Sequence, residues 1–275
     1  MKTLMLVSMA EVRESFRAKW FLLYSLVFGG AIILLFSLGI TESRVLGFTG
    51  LSRLLITYIQ LCVAVLPLFI LISTVRAVVA DKENNVVEYF LSMPISLASY
   101  FWGKLAGKFF VVFLPVIVAL LAASAWGFIK SLDVIWMEVL YYSVLLGTLT
   151  WCFLGFGMLI SSSVKKQEWA LGLAFSIWLI LLIFLDIILI GIMLQHRISE
   201  SLIIGISLLN PLQVFRTAAI LLFDTEGAAI GPAAYVIVDA IGRNGFLLFS
   251  LLYPLSLGWL LSWAGFKIFK HGDIV

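Results

Sequence analysis

Long apolar runs broken by short charged stretches set the pattern of this chain. A helix needs about 20 residues to cross roughly 30 Å of hydrocarbon. Six runs reach that length: Trp20 to Thr41, Leu54 to Val75, Phe109 to Ile129, Val139 to Val164, Trp169 to His196 and Asn244 to Phe266. Only the fifth holds an interior charge, Asp186. A further run, Ser201 to Phe215, is too short to span and is interrupted by Asn210 and Pro211. With Gly227 to Val238, shorter still, it makes residues 197–243 an ordered, partly apolar loop built from short interfacial or re-entrant helices.

Between these runs the periodicity changes. In residues 3–20, Met5, Met9, Val12, Phe16 and Trp20 share one helical stripe, and Glu11, Glu14 and Arg17 lie opposite. Residues 1–19 therefore read as an interfacial helix on the membrane surface. Between spans two and three, residues 76–108 form a polar loop. Asp81-Lys82-Glu83-Asn84-Asn85 offers Asn caps; Val86, Tyr89, Phe90 and Met93 then repeat at i, i+3, i+4 and i+7; Pro94 ends that helix and Ser96 caps the next. The edge of this short amphipathic helix is acidic, with Asp81, Glu83 and Glu88. Anionic headgroups repel such an edge, so a protein partner suits it better than a lipid surface.

Composition confirms what solvent the pattern is written for. Of 275 residues, 63% are hydrophobic and 12% charged, against roughly 45–50% and 25% in soluble domains. That surplus faces lipid, and residues 1–275 make a single all-α polytopic membrane domain. A net charge of +3, dispersed along the chain, leaves no nucleic-acid footprint. Cys62 and Cys152 are isolated within apolar runs and suggest neither a disulfide framework nor a metal site.

Charge also sets topology. Twelve of the 18 Lys and Arg residues fall on the side of the N-terminus, the 76–108 loop, Lys165 and Lys166, and the C-terminal tail; Arg44, Arg53, Lys130, Arg197, Arg216 and Arg243 fall on the other. The positive-inside bias puts both termini in the cytoplasm of a bacterial or archaeal cell, in its cytoplasmic (inner) membrane, and makes the 197–243 loop extracellular. The first span has an apolar run too long for a signal peptide and no small-residue cleavage site, so it is expected to stay as an anchor.

The order Glu83, Asn85-Val86-Val87-Glu88, Leu91, Pro94-Ile95-Ser96 and Gly103-Lys104 resembles the cytoplasmic loop of type-2 ABC exporter permeases. That family's pattern is an acidic residue, Gly-Thr-Leu-Glu, Leu, Pro-x-Ser-Arg and Gly-Lys. The chain departs from it at Asn85-Val86, where Gly-Thr is usual, and at Leu97, where Arg is usual. The resemblance implies a coupling helix docked on a separate cytoplasmic ABC ATPase, with Asp81, Glu83, Asn85, Val86, Glu88, Tyr89, Phe90, Leu91 and Pro94 at the interface. It further implies a homodimer of six-span halves, in which Gly155, Gly157 and Gly172 are candidates for close approach at the seam. Gly47-Phe48 and Asn210-Pro211-Leu212-Gln213-Val214-Phe215-Arg216 resemble, more narrowly, the permease subunits of nitrous-oxide-reductase maturation exporters. That likeness implies a periplasmic partner or gate at Asn210, Pro211 and Arg216, and a role in copper-site maturation. Asn210-Pro211 equally serves as the end of one short helix and the start of the next.

The chain lacks the chemistry of an enzyme. Gly103-Lys104-Leu105-Ala106-Gly107-Lys108 has three residues between its glycines where a phosphate loop needs four, and no Ser or Thr follows Lys108. ATP and Mg are thus expected on the partner, with no cofactor on this chain. His196 and His271 fall at opposite membrane faces, so no histidine metal cluster is expected, and the scattered methionines form no relay for Cu(I). The alternative reading is an ion- or proton-coupled secondary transporter using Asp186, because an intramembrane carboxylate is a default functional candidate; the same residue equally serves as a structural or cavity-lining group.

Overall fold

The computed structural model describes residues 2–37, 51–91, 95–129, 136–184, 205, 207–223 and 242–271, and every regular element among them is helical. In chain order these are α1 (Lys2–Arg17), α2 (Lys19–Ser37), α3 (Leu51–Thr74), α4 (Arg76–Glu83), α5 (Val86–Leu91), α6 (Leu97–Ile129), α7 (Trp136–Ser163), α8 (Gln167–Leu179), α9 (Pro211–Phe223) and α10 (Arg243–His271). A π-helical turn, Ile180–Phe184, continues α8.

Among the described residues, four stretches are long and apolar enough to cross a membrane: Tyr58–Glu83, Leu97–Ile129, Trp136–Ser163 and Arg243–His271. They correspond to the second, third, fourth and sixth predicted spans. The first falls on α2 and the fifth begins in α8, while residues 38–41 and 185–196, with Asp186, lie outside the described residues. Two helices overrun their apolar segments at the same end of the molecule. The second span continues through a single turn residue, Val75, into α4, and α6 starts at Leu97 rather than Phe109. Those extra residues add about 18 Å to α6 at 1.5 Å per residue.

Helices in lipid gain little from burying apolar groups against each other, so close approach depends on small side chains. The α7–α10 pair makes the point. On α10 the buried line runs Phe246, Ser250, Pro254, Gly258, Ser262, Gly265 and Phe269. A Cβ on Gly258 would lie 2.8 Å from the Cα of Cys152, and one on Gly155 would lie 2.5 Å from the Gly258 carbonyl oxygen. Gly155 is therefore spent inside one subunit and not at a dimer seam. Gly157 is likewise internal, since a Cβ there would come within 2.7 Å of Thr74 Cβ on α3. At Gly172 a Cβ would meet nothing within 4 Å.

The interfacial helix α1 is more firmly held than its apolar stripe implies. Its Met5 and Met9 are 68% and 66% exposed, whereas Val7 and Glu11 are 7% and 6% exposed and face α6. The methionine stripe thus faces away from the protein, as a membrane-surface helix requires. Of the polar residues that the sequence sets opposite it, Glu11 packs on protein, whereas Glu14 and Arg17 stay exposed.

Toward the middle of the bundle, Tyr24 and Tyr58 donate to the carbonyls of Val112 and Val116, at 2.8 and 3.0 Å, pinning α2 and α3 to α6 beside Pro115. Within the 197–243 loop, α9 is not on the surface. It packs on α3, α7 and α10 with Leu212, Phe215, Ala218 and Ala219 buried.

Replacing Gly258 by Leu should force α7 and α10 apart and destabilise the protein by about 1–3 kcal/mol, the usual range for overpacking. Thermal melting in detergent should show a clear drop for this variant and little change for Gly172→Leu.

Candidate functional site

The overrunning end of α6 packs on α1 and, through Lys104, is tied to α4, and there the charged residues gather. The break between α3 and α4 is held by α7. No side chain of Val75 caps α4; instead Ser161 Oγ accepts from the N–H groups of Val78 and Val79, at 2.9 and 3.0 Å, tying the first turn of α4 to α7. One turn earlier on α7, Gly157 makes room for Thr74. The joint therefore sits in a fitted notch.

Lys104 enters from α6. Its ammonium lies 2.6 Å from Asp81 on α4 and 3.5 Å from Glu11 on α1, and it donates to the Ala77 carbonyl at 2.8 Å. Lys108, one turn on, lies 2.8 Å from the other Glu11 oxygen. The hydroxyl of Tyr100 donates to Asp81. Two cations and two carboxylates balance, and each has several partners, which is the condition under which buried ions are tolerated. Burial alone would push the Glu11 carboxyl up, but the ammonium groups of Lys108 and Lys104 outweigh it and hold its pKa below the ordinary value.

Two glycines make this contact possible. A Cβ at Gly103 would lie 2.8 Å from Val7 Cβ, and one at Gly107 would lie 2.7 Å from Glu11 Cβ. The sequence Gly103-Lys104 and Gly107-Lys108 thus repeats a close approach followed by a cation at helical spacing. The same six residues that fail as a phosphate loop form a seat for α1.

The coupling-interface candidates divide between this core and its rim. Asp81 points inward, as described. Glu83 accepts from the backbone N–H and the side-chain amide of Gln167, at 3.3 and 2.7 Å, and so caps α8 in the absence of a side-chain cap from Lys166. Asn84 and Asn85 close α4, donating to the carbonyls of Ala80 and Lys82. Asn85 has φ +56°, the left-handed conformation that ends many helices. Asn tolerates it better than other residues with a side chain, which accounts for Asn standing where the permease pattern has Gly. In α5, Val87 is buried, Val86 is half-buried and Tyr89 is 64% exposed. Glu88, Phe90 and Leu91 lie on the α5 backbone, and their side chains, like Pro94, are outside the described residues.

The second candidate group lies elsewhere. Buried Asn210 accepts from the N–H of Leu212 at 3.0 Å and so caps α9, with Pro211 as its first residue. Its amide nitrogen donates at 2.7 Å to the carbonyl of Leu181, in the π-helical turn after α8. Arg216 is half-buried on α9. Among the described residues, no group of three His, Cys, Asp or Glu side chains is placed to hold a metal.

Glu11, Lys104, Lys108 and Ser161 were not among the candidates. Glu11 reads as part of a solvated face, and Ser161 as one of three successive serines at the end of a span. The available signal was the Gly-Lys repeat on α6, spaced one helical turn apart and facing a helix with a carboxylate.

The profile of the ABC-2 family transporter proteins matches residues 5–267. The chain belongs to the ABC-2 transporter family. It is similar to two proteins each named "Probable ABC transporter permease protein NosY". The one from Stutzerimonas stutzeri is 24% identical over 274 residues, covering 95% of this chain and 94% of that protein. The one from Pseudomonas aeruginosa is 22% identical over 232 residues, covering 81% and 83%. The protein is thus an ABC transporter permease subunit of the NosY-like type, a multi-pass membrane protein whose family implies an ATPase subunit beside it.

In this permease, Lys104→Met should cost about 3–5 kcal/mol of stability, the usual loss when one partner of a buried ion pair is removed. Melting of the detergent-solubilised protein measures it. Because the Glu11 pKa is lowered on folding, its contribution is complete above the ordinary value of 4.5 and fades as pH falls through the lowered one. Stability should accordingly fall on acidification below about pH 4.5, and Glu11→Gln should be less stable at neutral pH with a shallower acid limb.

Proposed function

We propose that α4 and α5 form the arm through which a cytoplasmic ABC ATPase, carrying ATP and Mg, drives this permease as an exporter. One observation carries the reading. α4 is tied to α7 through Ser161, to α6 through Lys104 and Tyr100, and to α8 through Glu83. A push on α5, one turn beyond those ties, is delivered to several helices at once and not absorbed by a loose loop. Tyr89, exposed on α5, offers an aromatic anchor of the kind that dominates interfaces. In this reading Val86, Glu88, Tyr89, Phe90, Leu91 and Pro94 face the ATPase. Asp81, Glu83 and Asn85 hold the arm in shape.

The proposal extends to the assembly. Two copies of the permease surround the export path in the inner membrane, with both termini cytoplasmic, and two ATPase subunits sit below. The 197–243 loop then faces outward, with Asn210, Pro211 and Arg216 near a periplasmic partner or gate. The Gly47-Phe48 and Asn210 to Arg216 motifs and the similarity to NosY support a role in copper-site maturation of nitrous oxide reductase.

The tagged permease should co-purify with a chain that hydrolyses ATP. Tyr89→Ala should lower its retention by tenfold or more, whereas Val144→Ala, on an exposed face of α7, should leave it unchanged. Transport by the permease alone in liposomes under a proton gradient, abolished by Asp186→Asn, would replace this reading with the ion-coupled one.

A further inference from the structure

Where α1 turns into α2, a cavity of about 310 Å³ opens beside the charged cluster. Its wall includes Glu14 and Ser15 of α1, Ser73 and Arg76 at the α3–α4 joint, and Lys108 of α6. Arg76 differs from the cations around it. Lys104 and Lys108 have carboxylate partners, but Arg76 forms no ion pair among the described residues, and its buried Nε has no hydrogen-bond partner there. A buried guanidinium donor without an acceptor is costly. It calls for an oxygen-rich anion.

A groove of about 410 Å³ adjoins this cavity, the two sharing Phe21. It runs between α2 and α6 past Gly29, Leu114, Val118 and Ala122. Lys108 to Ala122 is 14 residues, so cavity and groove together follow the bundle for about 21 Å, enough to enter one leaflet of a bilayer about 30 Å thick. Ser25 lines the groove one turn below Phe21, and its buried hydroxyl also lacks a partner. A polar compartment at the membrane surface, an unsatisfied donor just beneath it and an apolar track below reproduce the order of groups in a glycerophospholipid.

The charges narrow the headgroup. Lys108 is already engaged by Glu11, and Glu14 stands on the cavity wall, so the site offers little net positive charge beyond Arg76. That suits a singly charged phosphodiester better than free phosphate, and the Glu14 carboxylate suits an ammonium group. We propose that this is a binding site for phosphatidylethanolamine. The phosphodiester meets Arg76, the amine meets Glu14, an ester carbonyl takes the Ser25 hydroxyl, and an acyl chain lies between α2 and α6. Such a lipid would hold the α1–α2 elbow against α6. This inference rests on the membrane setting alone, independently of the ATPase reading.

Native mass spectrometry of the purified permease, exchanged into detergent with defined lipids, tests it without any ATPase. Phosphatidylethanolamine should be retained over phosphatidylglycerol, and Arg76→Gln should lower retention about tenfold, with Arg76→Lys restoring part of it. Glu14→Gln should erase the preference between the two lipids. Gly29→Trp, placed where an added Cβ meets nothing within 4 Å, should displace the lipid while leaving the charged cavity intact. Equal retention of both lipids by the unmodified protein, undiminished retention in both Arg76→Gln and Gly29→Trp, or binding of phosphorylethanolamine alone as tight as that of the whole lipid would overturn the proposal. So would a second copy of the chain seated over the groove.

Discussion

Lys104 needs two carboxylates, and meeting that need shapes one whole end of the permease. An ammonium taken out of water loses several kcal/mol of solvation, which only close, multiple partners recover. Glu11 and Asp81 supply them from helices far apart in sequence, and the Ala77 carbonyl adds a third contact. Glu11 reaches the lysine only because Gly103 and Gly107 let α1 lie almost against the α6 backbone. Pairing and close packing are thus one constraint, and a side chain at either glycine would disturb both.

The same economy of small residues governs the rest of the bundle. Gly155 against Gly258, Gly157 against Thr74 and Gly265 against the α7 backbone near Leu159 bring three helices to near backbone contact. In lipid these approaches supply dispersion contacts that a hydrophobic driving force does not. They also bring Ser161 within reach of the Val78 and Val79 N–H groups at the start of α4. Packing makes the hydrogen bonds possible, and the hydrogen bonds tie α4 to α7.

From this follows the mechanical character of the α4–α5 arm. Within the ABC-2 family the chain is a permease subunit, and the proposed coupling to an ATPase would need a stiff element to receive its work. Its first part, α4, is a helical extension of a span, tied on several sides, and passes into α5 through a tight left-handed turn at Asn85. The lipid cavity lies at the root of the same arm. Arg76 is the first residue of α4, so an occupant there would touch the start of the arm.

Much of the architecture was readable in the sequence, because a bilayer imposes a simple rule: apolar runs of spanning length must be helices. Ser96, Asn210 and Pro211 likewise announced local starts, and the caps at Ser96 and Asn210 are made by backbone groups within three residues. What periodicity could not decide was which face of a helix meets protein and which meets lipid. The stripe of Met5 and Met9 marked the membrane side of α1, but nothing in the pattern showed that Val7 and Glu11 would pack on α6. For the same reason Gly155 and Gly157 looked equally suited to a seam between subunits and to a contact within one. Sequence determined four of the spans and the family. Only the tertiary structure decided that Glu11, Asp81 and Lys104 meet, because their pairing depends on three helices converging on one point, and no local pattern encodes that distance.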